Sequence, residues 1–341
     1  MSAARFSRRL ALLQLFALGG LGLVGCGRGS AAPTPASSGP TAALCDGAEG
    51  RVSVVATTST IADVVSNVGG KAVRVQALLP IGADPHAYEV TRQDLAIMDQ
   101  AALIFVNGAG LEQSILSQLP AVARPGQVID LSAGLELIAG HEHHEGEHEE
   151  EEERGEHGHE EMDPHVWLDP NNVSQWAEQI AAALGQADPA CAGYYAERAR
   201  LYQAKLRELD EWIAREVQRI PPERRLLVAD HDALGYFARR YGLRVVGSAF
   251  PGLSTLAEPS AQEVAQLEDA IRSLGVPAIF LSSTVSPSLV QRIAQDTGVR
   301  LVTLYIGSLS GPEGPAATYI DMMRYNVQAI VSALSGEGTQ P

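Results

Sequence analysis

The 341-residue chain has few aromatic side chains, 5% of the total, and only three cysteines. Its 25 Lys and Arg are outnumbered by 41 Asp and Glu, which gives a formal net charge of -16. Because no basic face is available to neutralise phosphates, we do not expect nucleic-acid binding. The 45% hydrophobic content is typical of a soluble globular protein, and the length suffices for two domains.

The N-terminus lacks an apolar run that could comfortably span a bilayer. Three arginines precede an apolar stretch of only about 15 residues, whereas a membrane-spanning helix needs about 20. The stretch ends in LVGC at residues 23–26, which resembles a bacterial lipobox. We therefore expect residues 1–26 to be a lipoprotein signal peptide with Cys26 lipidated. An ordinary cleaved signal or a short membrane anchor is the alternative.

Residues 27–50 have no apolar periodicity and are rich in Gly, Ala, Ser, Thr and Pro. This composition predicts a flexible tether. The folded part would then lie outside the cytoplasmic membrane, where disulfides persist. The two remaining cysteines, Cys45 and Cys191, lack metal-ligand spacing, and they could either form a disulfide or stay separate.

From Arg51 onward, short β-branched runs alternate with helical stretches, which is the pattern of parallel α/β sheets. We predict two similar α/β lobes of about four strands each, an N-terminal lobe over residues 51–188 and a C-terminal lobe over residues 221–341. Between them, residues 189–220 predict one long rigid helix of about 48 Å. Ligands of such folds bind in the cleft at the carboxyl ends of the strands.

Three of the nine histidines lie just after predicted strands, at the rim of this cleft. A lone histidine at such a position is usually a hydrogen-bonded loop residue, but His86, His165 and His231 come from both lobes. Neutral imidazole is the commonest metal ligand, and three imidazoles suit Zn²⁺. Neighbouring aspartates could orient the rings through hydrogen bonds. The candidates for this role are Asp84, Asp163 and Asp232.

The other six histidines lie in residues 141–161, which also contain eleven glutamates. A segment without hydrophobic residues cannot form a core, so we predict a disordered loop. It is either a solvated insertion without function or an accessory zinc collector beside the principal site. Its candidate ligands are His141, His143, His144, His148, His157 and His159.

Four segments resemble motifs of the zinc- and manganese-binding lipoproteins of bacterial ABC importers, and they occur in the same order. They are ADPHAYEVTRQDL, DPHVWLDP, HDALGYFARRYGL and TYIDMMRYNV. The resemblance extends from about Arg51 to Leu334. It implies two α/β lobes joined by one long helix, with a divalent metal in the cleft between the lobes and little closure on binding.

The resemblance also implies that His86, His165 and His231 are metal ligands. The third ligand is His in zinc-type members and Glu in manganese-type members, so His231 favours Zn(II) over Mn(II). Many members supply an Asp as fourth ligand where this chain has Gly307, and often a Glu where it has Ser282. A water molecule, or a Glu or His of the 141–161 loop, would then complete the coordination.

These features imply a monomeric protein, anchored by lipid on the outer side of the cell membrane, in the periplasm or at the cell surface. It would capture Zn(II) and deliver it to an ABC-type membrane permease, without acting as an enzyme. Two other functions stay open. Three histidines with an open position also form a catalytic zinc site, as in a zinc-dependent hydrolase. A surface adhesin of the same fold is the other.

Overall fold

The structure is a computed structural model that describes Cys45, Gly50, residues 52–140 and residues 161–336. The predicted signal peptide with Cys26, nearly all of the predicted tether and all six loop histidines lie outside the described residues. None of the helices within the described ranges is long and apolar enough to cross a membrane.

The N-terminal lobe contains a parallel sheet of four strands in the order β2-β1-β3-β4. The central strands are buried along almost their whole length, as expected for a parallel sheet covered on both faces. The strands are β1 (Val52–Ala56), β2 (Val73–Ala77), β3 (Leu103–Val106) and β4 (Val128–Asp130). The helices are α1 (Ser59–Gly69), α2 (Arg92–Gln100), α3 (Gln113–Val122) and α4 (Pro170–Ala187).

The C-terminal lobe repeats this arrangement with a parallel sheet in the order β6-β5-β7-β8. Its strands are β5 (Leu226–Ala229), β6 (Arg244–Ser248), β7 (Ala278–Ser282) and β8 (Arg300–Leu304). Its helices are α6 (Gly235–Tyr241), α7 (Ala261–Leu274), α8 (Ser288–Thr297) and α9 (Tyr319–Leu334). The two sheets have equivalent strand orders, which confirms the predicted pair of similar α/β lobes.

One long helix, α5 (Ala192–Val217), links the lobes. A short 3-10 turn at Pro189–Cys191 precedes it, so the α-helix is shorter at both ends than the predicted 189–220. Its buried residues recur every three or four positions, which gives one apolar stripe: Tyr195, Ala199, Tyr202, Leu206, Leu209 and Ile213. This stripe packs against α4 of the N-terminal lobe and α9 of the C-terminal lobe.

A disulfide joins Cys45 to Cys191, and both cysteines are 1% exposed. It connects the segment before β1 to the turn that begins the linking helix. Of the two states that the sequence leaves open for these cysteines, the structure contains the bridged one.

The lobes share one apolar core along the linking helix. A single cluster of buried side chains includes Val54 of β1, Leu206 of α5, Phe280 of β7 and Met323 of α9. Two smaller clusters add one further layer to each lobe. Because separating the lobes would expose the shared cluster to water, the cleft between them has a built-in resistance to wide opening.

Candidate metal centre

The structure brings the three predicted histidines together at the carboxyl ends of the strands. His86 lies in the loop after β2, His165 precedes α4, and His231 lies two residues after the end of β5. The Nε2 atom of His165 lies 3.1 Å from Nε2 of His86 and 3.1 Å from Nε2 of His231. Three nitrogens on a tetrahedral zinc, each about 2.0–2.1 Å from the ion, would be separated by about 3.3 Å. The arrangement therefore fits one divalent cation.

One candidate ligand atom from each of these histidines lies within 4.8 Å of those from the other two. Across the described residues, no second set of three or more His, Cys, Asp or Glu side chains is close enough to hold an ion. The three histidines thus form the single group of this kind among the described residues.

Asp163 fixes the ring of His165. One carboxylate oxygen, Oδ1, lies 2.8 Å from the ring atom Nδ1 and also accepts the backbone N–H of His165 at 2.8 Å. An imidazole that donates from Nδ1 presents the lone pair of Nε2 to the centre of the site. Asp163 therefore has the contact that the sequence predicted for it.

Asp230 has the same relation to His231. Its Oδ1 lies 2.9 Å from Nδ1 of His231, and its Oδ2 accepts the backbone N–H of Ser282 at 2.7 Å. Asp232 was predicted for this role, but the residue that occupies it is Asp230, on the other side of the histidine in the segment ADHD. Asp232 is buried beside the site, where its charge acts to raise the pKa of His165.

Asp84 contacts the backbone of His86 rather than its ring. Its Oδ1 accepts the His86 backbone N–H at 3.0 Å, and its Oδ2 accepts the hydroxyl of Thr255, from the other lobe, at 2.5 Å. The His86 residue is also only half-buried, whereas His165 is 1% exposed and His231 is 2% exposed. His86 is therefore the most exposed of the three histidines, and Asp84 contacts its backbone instead of its ring.

The surroundings shift the pKa values of the three imidazoles in different directions. Burial, followed by the other two histidines, lowers the pKa of His86 from 6.5 to about 2. Burial also holds the pKa of His165 well below its ordinary value. Burial acts to lower the pKa of His231 as well, but Asp230 and more distant carboxylates outweigh it and raise that pKa. Two of the three rings are therefore kept neutral, as metal ligation requires.

Gly307 leaves the site without the carboxylate that the resemblance led us to look for. A Cβ atom at position 307 would lie 2.9 Å from Oγ1 of Thr284 and 3.0 Å from Cδ of Pro85, the residue before His86. Position 307 thus faces the His86 loop, but the space is occupied by neighbouring atoms. Ser282 supplies no carboxylate either. Its hydroxyl lies within hydrogen-bond distance of that of Thr284, at 2.9 Å.

Direct hydrogen bonds join the lobes beside the three histidines. The backbone N–H of Leu309 donates to Oγ of Ser59 at 2.9 Å, and that of Gly82 donates to Oγ of Ser308 at 2.9 Å. Together with the hydrogen bond between Asp84 and Thr255, these bonds fix the position of one lobe relative to the other near the site. These bonds have no signal in the sequence, since they depend on which loops of the two lobes meet.

Two α/β lobes around a cleft lined by three imidazoles define a two-lobed binding protein. The family model described as zinc-uptake complex component A, periplasmic, matches residues 54–333, and the chain therefore belongs to this family.

Relatives within the family are named for different metals. The chain is 33% identical to the manganese-binding lipoprotein MntA of Halalkalibacterium halodurans, over 83% of this chain and 88% of that protein. It is also 33% identical to the zinc-binding protein TroA of Treponema pallidum, over 84% and 90% of the two chains. FimA of Streptococcus parasanguinis, named a metal ABC transporter substrate-binding lipoprotein, is 27% identical over 95% of this chain and 98% of its own length.

Solved structures of such proteins have the same fold. The structure of TroA from Treponema pallidum superposes with a TM-score of 0.74 at 30% identity, and covers 84% of this chain and 99% of TroA. A manganese-bound periplasmic metal-binding protein from Candidatus Liberibacter asiaticus gives a TM-score of 0.70 at 27% identity, over 83% and 99% of the two chains. Two similar lobes linked by a long helix are thus a property of the family.

Proposed function

We propose that this protein captures Zn(II) outside the cytoplasmic membrane, with His86, His165 and His231 as ligands, and delivers it to an ABC-type permease. One observation carries the proposal: three imidazole nitrogens from two lobes meet at distances that suit a single ion. The aspartates behind two of the rings add to it, because such pairs hold ligating histidines in the required tautomer.

Zinc is the metal that this set of ligands favours. Mn²⁺ prefers carboxylate, carbonyl and water oxygens, whereas imidazole nitrogens suit Zn²⁺. Positions 282 and 307 could have supplied oxygen ligands, but they are Ser and Gly. The relatives include proteins named for each metal, so the choice rests on the side chains of this chain. Mn(II) is the less favoured cargo.

Delivery to a permease is supported by the names of relatives. FimA is named as the substrate-binding lipoprotein of a metal ABC transporter. We propose the same partner here, with residues 1–26 as a lipoprotein signal peptide, Cys26 as the lipid anchor and residues 27–50 as the tether. The protein would act as a monomeric carrier rather than as an enzyme or an adhesin.

The His/Glu segment is proposed to collect zinc for the principal site. Its two ends lie together in the structure, where the backbone N–H of Gly140, just before the segment, donates to the carbonyl of Glu161, its last residue, at 3.0 Å. Ala139 and Met162 form an antiparallel bridge beside this bond. Asp163, which holds the ring of His165, follows directly after this bridge. The segment is therefore attached close to the metal centre, and its carboxylates would raise the local concentration of cations.

Calorimetric titration of the metal-free protein with Zn²⁺ and Mn²⁺ tests the principal site. A competing chelator restricts the signal to tight binding. The His165→Ala variant should lose more than about 100-fold in zinc affinity, beyond the roughly 10- to 100-fold typical for partners outside the ligand set. The His231→Glu variant should shift the preference toward Mn²⁺.

His144→Ala provides the matched control, because it removes one histidine of the loop and none of the site. It should retain the affinity of the unmodified protein. Tight zinc binding that persists in His165→Ala would contradict the proposed site.

A further inference from the structure

His165 is the central ligand of the proposed site, since its Nε2 atom is 3.1 Å from those of both other histidines. The carbonyls of the two neighbouring residues, Pro164 and Val166, each accept a hydrogen bond from an asparagine. Nδ2 of Asn107 donates to the carbonyl of Pro164 at 2.9 Å, and Nδ2 of Asn172 donates to the carbonyl of Val166 at 2.9 Å. The backbone of this ligand is therefore fixed on both sides by side chains.

Asn107 is itself rigidly placed at the end of β3. It is fully buried, and its backbone N–H donates to Oε1 of Glu112 at 2.7 Å. The other oxygen of Glu112 accepts the N–H of Gly108 at 3.2 Å, and Thr57 donates to Oε1 at 2.6 Å. Gly108 has a φ of 79°, and a Cβ there would overlap the carboxylate of Asp130, so the turn requires glycine.

Asn172 follows His165 in the sequence, whereas Asn107 precedes it. It lies in the first turn of α4, whose N-terminus is capped by the side chain of Asp169. Asn172 is 8% exposed, so its amide is also largely shielded from water. A strand end and a helix start thus provide two independent supports for the peptide units around His165.

The carbonyls that flank His86 are not held in this way, although Asp84 accepts the backbone N–H of His86. Among the described residues, no side chain donates a hydrogen bond to the carbonyl of Pro85 or of Ala87, which flank that histidine. The asparagine pair therefore distinguishes the central ligand from the half-exposed one.

We propose that Asn107 and Asn172 are positioning residues that set how tightly and how long the site holds its metal. The inference rests on the proposed zinc-binding function. A ligand whose backbone is already fixed need not be ordered when the ion binds, so less binding free energy is lost. Removing the Asn107 donor frees the carbonyl of Pro164, and removing the Asn172 donor leaves the carbonyl of Val166 with only the longer hydrogen bond from the backbone N–H of Asp169, at 3.3 Å. Either loss gives the peptides around His165 more freedom to move Nε2 away from the centre of the site.

The test replaces each asparagine by leucine, which has a similar shape but no donor and no charge. Asn107→Leu and Asn172→Leu should each weaken zinc binding by about tenfold or more, in the range known for groups that orient metal ligands. Zinc release to a chelator should accelerate correspondingly. The visible absorption bands of bound Co²⁺, which report ligand geometry, should change shape.

Asn326→Leu is the matched control. Asn326 is 5% exposed and also holds backbone groups, donating to the carbonyl of Tyr305 at 2.7 Å and accepting its N–H at 2.9 Å. Its replacement should lower the melting temperature to a similar extent but leave the zinc affinity and the Co²⁺ spectrum unchanged. Where a leucine variant does not fold, the alanine variant at the same position serves for the same measurements.

Asn107→Leu and Asn172→Leu proteins that lose only stability, with unaltered zinc affinity and Co²⁺ spectrum, would overturn the positioning role. In that case His165→Ala would still lose zinc binding, and the proposed function would stand. Unimpaired zinc binding by His165→Ala would overturn both.

Discussion

The three imidazoles of the site differ in how firmly they are held. His165 and His231 are buried and each has an aspartate on Nδ1, whereas Asp84 contacts only the backbone of His86. A carrier has to release its cargo as well as capture it. Under the proposed function, the half-buried His86 would be the ligand that leaves the ion first, because no carboxylate among the described residues holds its ring. Release would then begin at the solvent side of the site.

The first prediction concerns the two aspartates that flank His231. Asp230→Asn should lower zinc affinity by about 10- to 100-fold, because it removes the carboxylate that orients the ring and increases its basicity. Asp232→Asn should have a smaller effect, since Nδ1 of His231 keeps Asp230 as its partner. Competition with a fluorescent chelator measures both affinities. A larger loss in Asp232→Asn than in Asp230→Asn would contradict this assignment.

The second prediction concerns the missing carboxylate. A side chain at position 307 needs space that Thr284 occupies, so Gly307→Asp is best combined with Thr284→Ala. An added hard oxygen ligand should raise the affinity for Mn²⁺ relative to Zn²⁺. Titrations with both metals check the ratio, and Gly307→Asn with Thr284→Ala controls for size without the charge. An unchanged ratio would mean that position 307 does not reach the metal.

Much of the site could be predicted from the sequence because its ligands follow strands. The carboxyl ends of parallel strands meet at one edge, so histidines after β2 and β5 were expected to converge. The choice between Asp230 and Asp232 could not be predicted, since it depends on the rotation of the His231 ring. The cross-lobe pair Asp84 and Thr255 was equally inaccessible, because no local pattern indicates which loops of two lobes touch.

At the scale of elements, the linking helix illustrates which boundaries a sequence defines. A proline at position 189 and the two prolines at 221 and 222 predicted one helix between residues 189 and 220. The structure forms a 3-10 turn at Pro189–Cys191 and ends α5 at Val217. Terminal residues of helices lack intrahelical partners for some backbone groups, and local contacts decide their conformation. Here the disulfide of Cys191 lies within the turn that precedes the helix.

A half-buried aspartate, Asp63, joins α1 of one lobe to α9 of the other. Oδ2 of Asp63 accepts the backbone N–H of Tyr319 at 3.0 Å, at the first residue of α9. Burial, opposed in part by this hydrogen bond and reinforced by the nearby charge of Asp321, raises the pKa of Asp63 from 3.8 to about 6. The folded state therefore binds this proton more tightly than the unfolded state does.

The third prediction follows from the sign of that shift. The contribution of Asp63 favours folding at low pH and is lost as pH rises through about 6. Relative to Asp63→Asn, the metal-free protein should therefore lose about 2 kcal/mol of stability between about pH 4.5 and about pH 7. Urea unfolding of both proteins at the two pH values measures the difference. In the control, the exposed substitution Asp99→Asn should give a pH-dependent difference in stability near zero. A difference near zero for Asp63→Asn as well would contradict the inferred shift in the pKa of Asp63.

At the scale of the whole molecule, the shared core and the cross-lobe hydrogen bonds act together. The apolar cluster along α5 resists separation of the lobes, while the bonds of Ser59 and Ser308 fix the lobes beside the metal centre. Wide separation of the lobes would break these hydrogen bonds and expose the shared cluster to water. We therefore expect release of the proposed cargo to require only small displacements of the loop that carries His86.

The last prediction separates the His/Glu insertion from the principal site. Because Gly140 and Glu161 are already hydrogen-bonded as neighbours across two antiparallel segments, residues 141–160 can be replaced by Asn-Gly, which favours a tight two-residue turn. The shortened protein should keep one tight zinc site and lose the weaker equivalents. Ligands that must be ordered when the ion binds, as the sequence predicts for this loop, bind more weakly than prearranged ones.

A protein that keeps the insertion but carries Asn in place of its six histidines is the control for length and charge. It should retain the tight site and lose the weak sites that depend on imidazole. Calorimetric titration distinguishes the two classes by affinity and stoichiometry. Loss of tight binding in both variants would instead mean that a loop histidine completes the coordination left open by Gly307. Loss only in the shortened protein would assign that position to a loop glutamate, and tight binding in both would leave it to water.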